Sequence, residues 1–257
     1  DGTNDYIDFG NPSIFDNLTS LSVSCWFNSD LKSQDRGILG KWASGTDRSF
    51  ALNLETSGNI RFIVRSGGVG AQSYINTSDW STGNWYNVIG TYDGSNVKLY
   101  LDGVLKDTVA LTGTVDNATQ SFRIGVYGSA SYFDGQISNV SFFNEALTST
   151  EVLKLYNSGV PSDLSSFNPS PTAWWSLGSD SYFNGANYIC PDLIGSNNGT
   201  SSGMDANALI GDAPNSTGNG TSTNMAIDAN LTGSAPNSSN NSFSVNMDYA
   251  DRETSVP

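Results

Sequence analysis

The sequence predicts an all-β fold, an antiparallel β-sandwich with one short helix and an extended C-terminal tail. Three observations carry this. Apolar and polar residues alternate with a period of two along residues 1–147. Short turn signals punctuate the alternating segments. Helical patterning is nearly absent before residue 148, which argues against parallel βαβ units.

Leu21, Val23, Cys25 and Phe27 alternate with Ser22, Ser24 and Trp26. Phe50, Leu52 and Leu54 follow the same rule, as do Ile60, Phe62 and Val64, and Ser57-Gly58-Asn59 between them reads as a hairpin turn. Asn96–Leu101 and Val104–Val109 flank Asp102-Gly103, a pair suited to the type I′ turn, in which both central residues need positive φ. Asp93-Gly94 gives a similar signal one strand earlier. Many short strands at regular spacing mark a sandwich or barrel. The helix is signalled by a capping box, Thr148 with Glu151, followed by Val152, Leu153, Leu155 and Tyr156, and is stopped by Gly159 and Pro161. The cap accounts for Glu151 without a catalytic role.

Residues 1–160 are therefore assigned to the sandwich. Residues 161–195 read as a linker marked by Pro161, Pro169 and Pro171, in which Ala173–Leu177 is too apolar to be free and is expected to pack as an edge strand. Residues 196–257 form an Asn/Ser/Gly-rich tail with a weak repeat of about twenty residues. Units opening at Asn198, Asn219 and Asn241 each enclose one Met and stop at Pro214, Pro236 and Pro257. Such a segment buries too little apolar surface to offset about 1–2 kcal/mol of chain entropy per residue. The tail is therefore expected to be ordered by a neighbour, either its own sandwich or another subunit.

The net charge is -14, from 25 acidic and 11 basic residues. A chain this acidic repels phosphate backbones and anionic membrane surfaces, so nucleic acid is not an expected partner. No apolar run approaches the ~20 residues that span a bilayer. No signal peptide is visible, and Asp1 opens in mid-motif. Histidine is absent, which excludes serine–histidine and cysteine–histidine mechanisms within this chain. Cys25 reads as a small buried residue; a Cys25–Cys190 bridge is the alternative. Triplets such as Asn17-Leu18-Thr19 arise by chance in a chain so rich in Asn, Ser and Thr, and matter only on a eukaryotic secretory route.

Several segments, in order, resemble the laminin-G-like, concanavalin-A-like jelly-roll family. They are Asp1-Gly2-Thr3-Asn4-Asp5-Tyr6, Leu21–Phe27, Gly37-Ile38-Leu39-Gly40-Lys41, Thr91-Tyr92-Asp93-Gly94 with Leu99-Tyr100-Leu101-Asp102-Gly103, and Phe133-Asp134-Gly135-Gln136-Ile137 with Phe143-Asn144-Glu145-Ala146-Leu147. Together they span most of residues 1–156. Ala173–Leu177 with Asp192–Thr200 resembles the segment that usually precedes the opening motif, here placed after the domain. It is expected to supply the missing edge strand in permuted order, the alternative being the start of a second, degenerate domain.

The resemblance implies a structural calcium near the first and last strands, with Asp134 and then Asp1 as candidate ligands. Ser138-Asn139 stands where the family commonly has two acids. It also implies a carbohydrate site built from aromatic faces on loops. Trp42, Tyr74, Trp80, Tyr127 and Tyr132 flank loop-like segments and are the candidates, with a core role as the alternative for each; Trp26 and Trp85 read as core. Glycosidases of the related fold use paired carboxylates, usually in an E-x-D-x-x-E pattern. That pattern does not occur, so the chain is expected not to be an enzyme.

The arrangement of sandwich plus tail is similar to structural proteins of marine bacteriophages and related viruses. This implies a decoration or attachment protein on the virion surface, a homo-oligomer anchored by its tail and touching cell-surface glycans. The alternative is a secreted or cell-surface lectin-like adhesion domain, and a third reading is a carbohydrate-binding domain cut from a larger glycoside hydrolase.

Overall fold

Period-two alternation leaves one face of each strand apolar, and two such faces close on each other in the folded chain. The computed structural model describes residues 2–204 apart from 44 and 179. In chain order its strands are β1 (Tyr6–Asp8), β2 (Leu21–Ser29), β3 (Arg36–Trp42), β4 (Arg48–Leu54), β5 (Ile60–Ser66), β6 (Val69–Ile75), β7 (Tyr86–Tyr92), β8 (Asn96–Leu101), β9 (Val104–Ala110), β10 (Arg123–Ile124), β11 (Val126–Tyr127), β12 (Ser131–Tyr132), β13 (Gly135–Phe143), β14 (Ala173–Trp175), β15 (Tyr182–Phe183), β16 (Tyr188–Cys190) and β17 (Gly199–Ser202). The helix α1 spans Ser149–Tyr156.

One sheet has the order β15-β16-β17-β1-β10-β3-β4-β5-β6, and the other β14-β13-β2-β7-β8-β9. All pairings are antiparallel. The fold is thus the concanavalin-A-like jelly roll expected from the sequence. Between the sheets lie Val23, Cys25, Phe27, Phe50, Leu52, Phe62, Val64, Val88, Leu99 and Phe142, all fully buried or nearly so. The helix packs Val152 and Leu155 over Ile89, Tyr100 and Phe143 on the outer side of the six-stranded sheet. Thr148 Oγ1 accepts from Glu151 N and Glu151 Oε2 from Thr148 N, so the capping box forms as read. Asp102 (φ 50) and Gly103 (φ 77) make the two-residue turn between β8 and β9. The Asp93-Gly94 turn is longer than its counterpart. There the Asp93 carboxylate accepts from Ser95 N and Asn96 N, holding a loop rather than a two-residue turn.

The sandwich does not end at residue 160. β14 pairs with β13, and β17 pairs with β1, so the segment after the helix completes both sheets. Trp175 is fully buried, with its ring 4.5 Å from that of Phe9 and 5.5 Å from that of Phe122, and its Nε1 donates to Asn197 O (2.7 Å). The buried Asp192 carboxylate accepts from the backbone N–H groups of Trp174, Ile194 and Asn197 and so ties the loop beneath β14. Placing these strands after the domain keeps the packing because sheet neighbours need not be sequence neighbours. The opening of the first tail repeat is β17, and residues 205–257, with the rest of the repeats, lie outside the described residues. Cys25 and Cys190 are buried, unpaired thiols, so the bridge is not formed; burial pushes the Cys25 thiol far above its ordinary range. No described helix is long and apolar enough to cross a membrane.

Candidate functional site

Residues that alternate with the core on β4, β5 and β6 face outward from the nine-stranded sheet. Register aligns them in rows: Asn53 opposite Arg61 opposite Tyr74, and Ala51 opposite Ile63 opposite Gln72. The β11–β12 hairpin lies across this face. It can do so because Gly37 has no side chain; a Cβ there would collide with the backbone of Val126 and Tyr127. The hairpin brings Tyr127 over Trp42, which packs with Ala51 and Ile63 in a small outer cluster.

The result is a four-membered ladder. The Arg48 guanidinium lies 5.2 Å from the Trp42 ring centre, Trp42 and Tyr127 stack at 5.8 Å and 23°, and Arg61 lies 5.6 Å from the Tyr127 ring. Cations over aromatic faces are attracted by the ring quadrupole. Arg61 is held on every side: Nε donates to Asn53 Oδ1 (3.1 Å), Nη1 to Gln72 Oε1 (3.2 Å), Nη2 to Tyr127 Oη (3.0 Å), and Glu55 pairs with it at 2.8 Å. Tyr74 Oη donates to the same Gln72 oxygen (2.8 Å).

These bonds fix which groups point to solvent. The Tyr127 oxygen accepts from Arg61, so its own hydrogen is left to donate outward. Burial raises the Tyr127 hydroxyl above its ordinary value against the opposing pull of Arg61, keeping it a neutral donor. Gln72 spends its oxygen internally and keeps two amide donors. Arg48 uses Nε on Ala43 O (3.0 Å), and its terminal nitrogens have no acceptor among the described residues. A part-exposed aromatic with aimed donors around it can stack on the apolar face of a sugar ring and bond its hydroxyls.

Three of the five candidate aromatics meet here, in unequal roles. Tyr127 and Tyr74 are part-exposed, whereas Trp42 is only 6 % exposed and backs Tyr127 from beneath. Trp80 is 2 % exposed and belongs to the core, with Nε1 donating to Gly58 O and Lys32 over its ring, so it offers no face to a ligand. Its neighbours Asp79 and Ser81 are polar and exposed, which made it look like a loop residue. Tyr132 lies toward β1, its ring 6.1 Å from Tyr6, apart from the ladder. Trp26 is core-like at 4 %, while Trp85 is only part-buried. Arg61, Gln72, Asn53 and Arg48 were not singled out from the sequence; Asn53 and Arg61 alternate with the inner-face residues of β4 and β5, as solvent-facing residues ordinarily do, and Arg48 falls outside that alternation.

At the expected calcium site, Asp1 lies outside the described residues. Asp134 sits beside Gly2, but the neighbouring carbonyls of Gly2 and Tyr132 both accept from Arg36 Nη1, at 2.8 and 2.7 Å. Calcium needs six to eight oxygens. No cluster of three or more His, Cys, Asp or Glu suited to a metal occurs among the described residues.

The model of the concanavalin A-like lectin/glucanases superfamily matches residues 1–153. A structure from Bacteroides ovatus described as carbohydrate binding superposes with a TM-score of 0.61 at 20% identity, covering 79% of this chain and 59% of that one. The CBM40 of a Ruminococcus gnavus IT-sialidase, bound to sialyllactose, gives 0.47 at 15% identity over 55% of this chain and 84% of its own. A pentraxin from Limulus polyphemus gives 0.43 at 16% over 60% and 82%. This chain thus spans less than two thirds of the Bacteroides protein. No curated protein matches the sequence. With its model matched over more than half of the chain and the two-sheet fold in place, this protein belongs to the concanavalin A-like lectin/glucanases superfamily.

Proposed function

We propose that this chain is a non-catalytic carbohydrate-binding domain, working outside the cell or on a surface, which holds glycans on the outer face of its nine-stranded sheet. The observation that carries the reading is the Arg48–Trp42–Tyr127–Arg61 ladder with its outward donors. Tyr74 supplies the part-exposed stacking ring, Tyr127, Gln72 and Arg48 supply donors, and Arg61 and Trp42, which flank the Tyr127 ring, hold them rigid. The superfamily match and the carbohydrate-binding description of the Bacteroides ovatus protein support it. Glu55 is paired with Arg61 and Glu151 is committed to the helix cap, which leaves neither placed as an acid–base catalyst. The reading as a virion decoration protein and homo-oligomer finds no support in these comparisons, and residues 205–257, most of the tail it rests on, lie outside the described residues.

The test is a glycan array with the full chain, followed by affinity measurement for the best sugar. Tyr127→Ala is expected to lose a hydrogen bond to the sugar of about 0.5–1.5 kcal/mol. Affinity should fall by roughly 2–13-fold in a variant that remains folded at the assay temperature. Failure to bind any glycan, or full affinity in Tyr127→Ala, would refute the proposal.

A further inference from the structure

The guanidinium of Arg36, at the start of β3, gathers three separate segments. Nη1 donates to the carbonyls of Gly2 (2.8 Å) and Tyr132 (2.7 Å), and Nη2 to the side-chain oxygen of Gln34. Gly2 precedes β1, and Tyr132 ends the hairpin that leads into β13. Asp134 completes the group: a Cβ built on Gly2 would lie 3.1 Å from Asp134 Cγ and 3.2 Å from Arg36 Nη1. Gly2 itself has φ +66 and donates to Phe133 O (3.1 Å), so the chain is folded tightly around this point. Arg36 Nε is buried without a hydrogen-bond partner, while Gly2, Arg36, Tyr132 and Asp134 are each part-exposed. Two converging carbonyl oxygens beside a carboxylate are the donor chemistry of a hard divalent cation. Here they are presented to a guanidinium, which is permanently charged and covalently attached.

We propose that Arg36 stands in the place of a structural cation, so that this domain holds its N-terminal segment, its β11–β12 hairpin and the start of β13 together without calcium. The stand-in is of the right kind: Nη1 donates to both carbonyls while Nη2 is held by Gln34, a planar two-nitrogen grip that a single lysine ammonium on a flexible stem lacks. The same tie fixes the hairpin that places Tyr127 on the outer face; that consequence rests on the glycan reading, whereas the role of Arg36 does not.

Thermal unfolding of the full chain, in chelator and in millimolar calcium, tests it without any sugar. The parent should melt within about 1 °C in both. Arg36→Ala should melt about 5 °C lower in chelator and regain part of that loss in calcium, because Gly2 O, Tyr132 O and the Asp134 carboxylate become available to the ion. Arg36→Lys should fall between the two in chelator, and it serves in place of Arg36→Ala should that variant not fold. A parent stabilised by calcium by several degrees overturns the proposal. So does an arginine-less variant that is destabilised but indifferent to calcium, since a purely structural contact would behave that way.

Discussion

Replacing Trp175 by Ala asks whether the segment after the helix is part of the sandwich. The matched family region stops at residue 153, and on that boundary alone Trp175 would be dispensable. In the structure it is fully buried against Phe9 and Phe122, and its indole N–H is bonded to Asn197 O. Truncating a buried Trp costs about 3–5 kcal/mol. Unfolding entropy near ~2.1 cal/mol/K per residue over about 200 residues gives ~0.4 kcal/mol/K, so a loss of about 4 kcal/mol lowers the melting temperature by roughly 10 °C. Scanning calorimetry on the full chain reads this directly. Phe183→Ala is the control, since Phe183 is 55 % exposed on edge strand β15 and its loss should shift melting by no more than about 2 °C. A Trp175→Ala protein that melts within about 2 °C of the parent would refute the inclusion of β14–β17 in the cooperative unit.

Two further predictions concern charge and thiols. Burial favours the neutral acid at Asp93, yet the Lys98 ammonium and the N–H groups of Asn96 and Ser95 hold its carboxyl below the ordinary 3.8; the Asp93 bond in turn raises Lys98 above 10.5. Both side chains are about one-third exposed, so screening limits the pair to about 1 kcal/mol. Asp93→Asn should therefore lower the urea midpoint at neutral pH. A depressed acid stabilises above its unfolded value and loses this as pH falls through its folded value, whereas a raised lysine loses its share only as pH climbs through its own. The gap between variant and parent should thus close in strong acid and again in strong alkali, and a gap constant across pH would contradict the pairing. Cys25 and Cys190 should be silent to a thiol reagent in the native protein and should both titrate after denaturation without reductant; no titratable thiol in the denatured chain would mean that they are bridged.

The parts of this fold legible in the sequence are those whose cause is local. Thr148 and Glu151 specify the cap by their spacing, and Asp102-Gly103 specifies its turn because few other pairs tolerate two positive φ values. Alternation on β2, β4 and β5 gives the inner face directly. The candidate site was only half visible. Tyr127 rides on a hairpin of two-residue strands, too short for any periodicity, and its position depends on the bare Gly37 some ninety residues earlier. Arg61 and Gln72 read as ordinary solvent-facing residues until register set them beside Tyr74 and Tyr127. Trp80 misled for the opposite reason: its polar neighbours hide a ring turned into the core. Arg36 escaped notice because the groups it joins are backbone carbonyls, which carry no sequence signal.

The central proposal is that glycan binds on the outer face of β4–β6 beside the β11–β12 hairpin. Hydrogen exchange of the full chain with and without the best array sugar tests it most directly. Protection should rise in the segments containing residues 48–54, 60–75 and 126–132, and the Tyr127→Ala protein should lose that response. Protection confined elsewhere, such as the loop carrying Trp80 or the β15–β16 edge, would place the binding surface somewhere else and contradict the account.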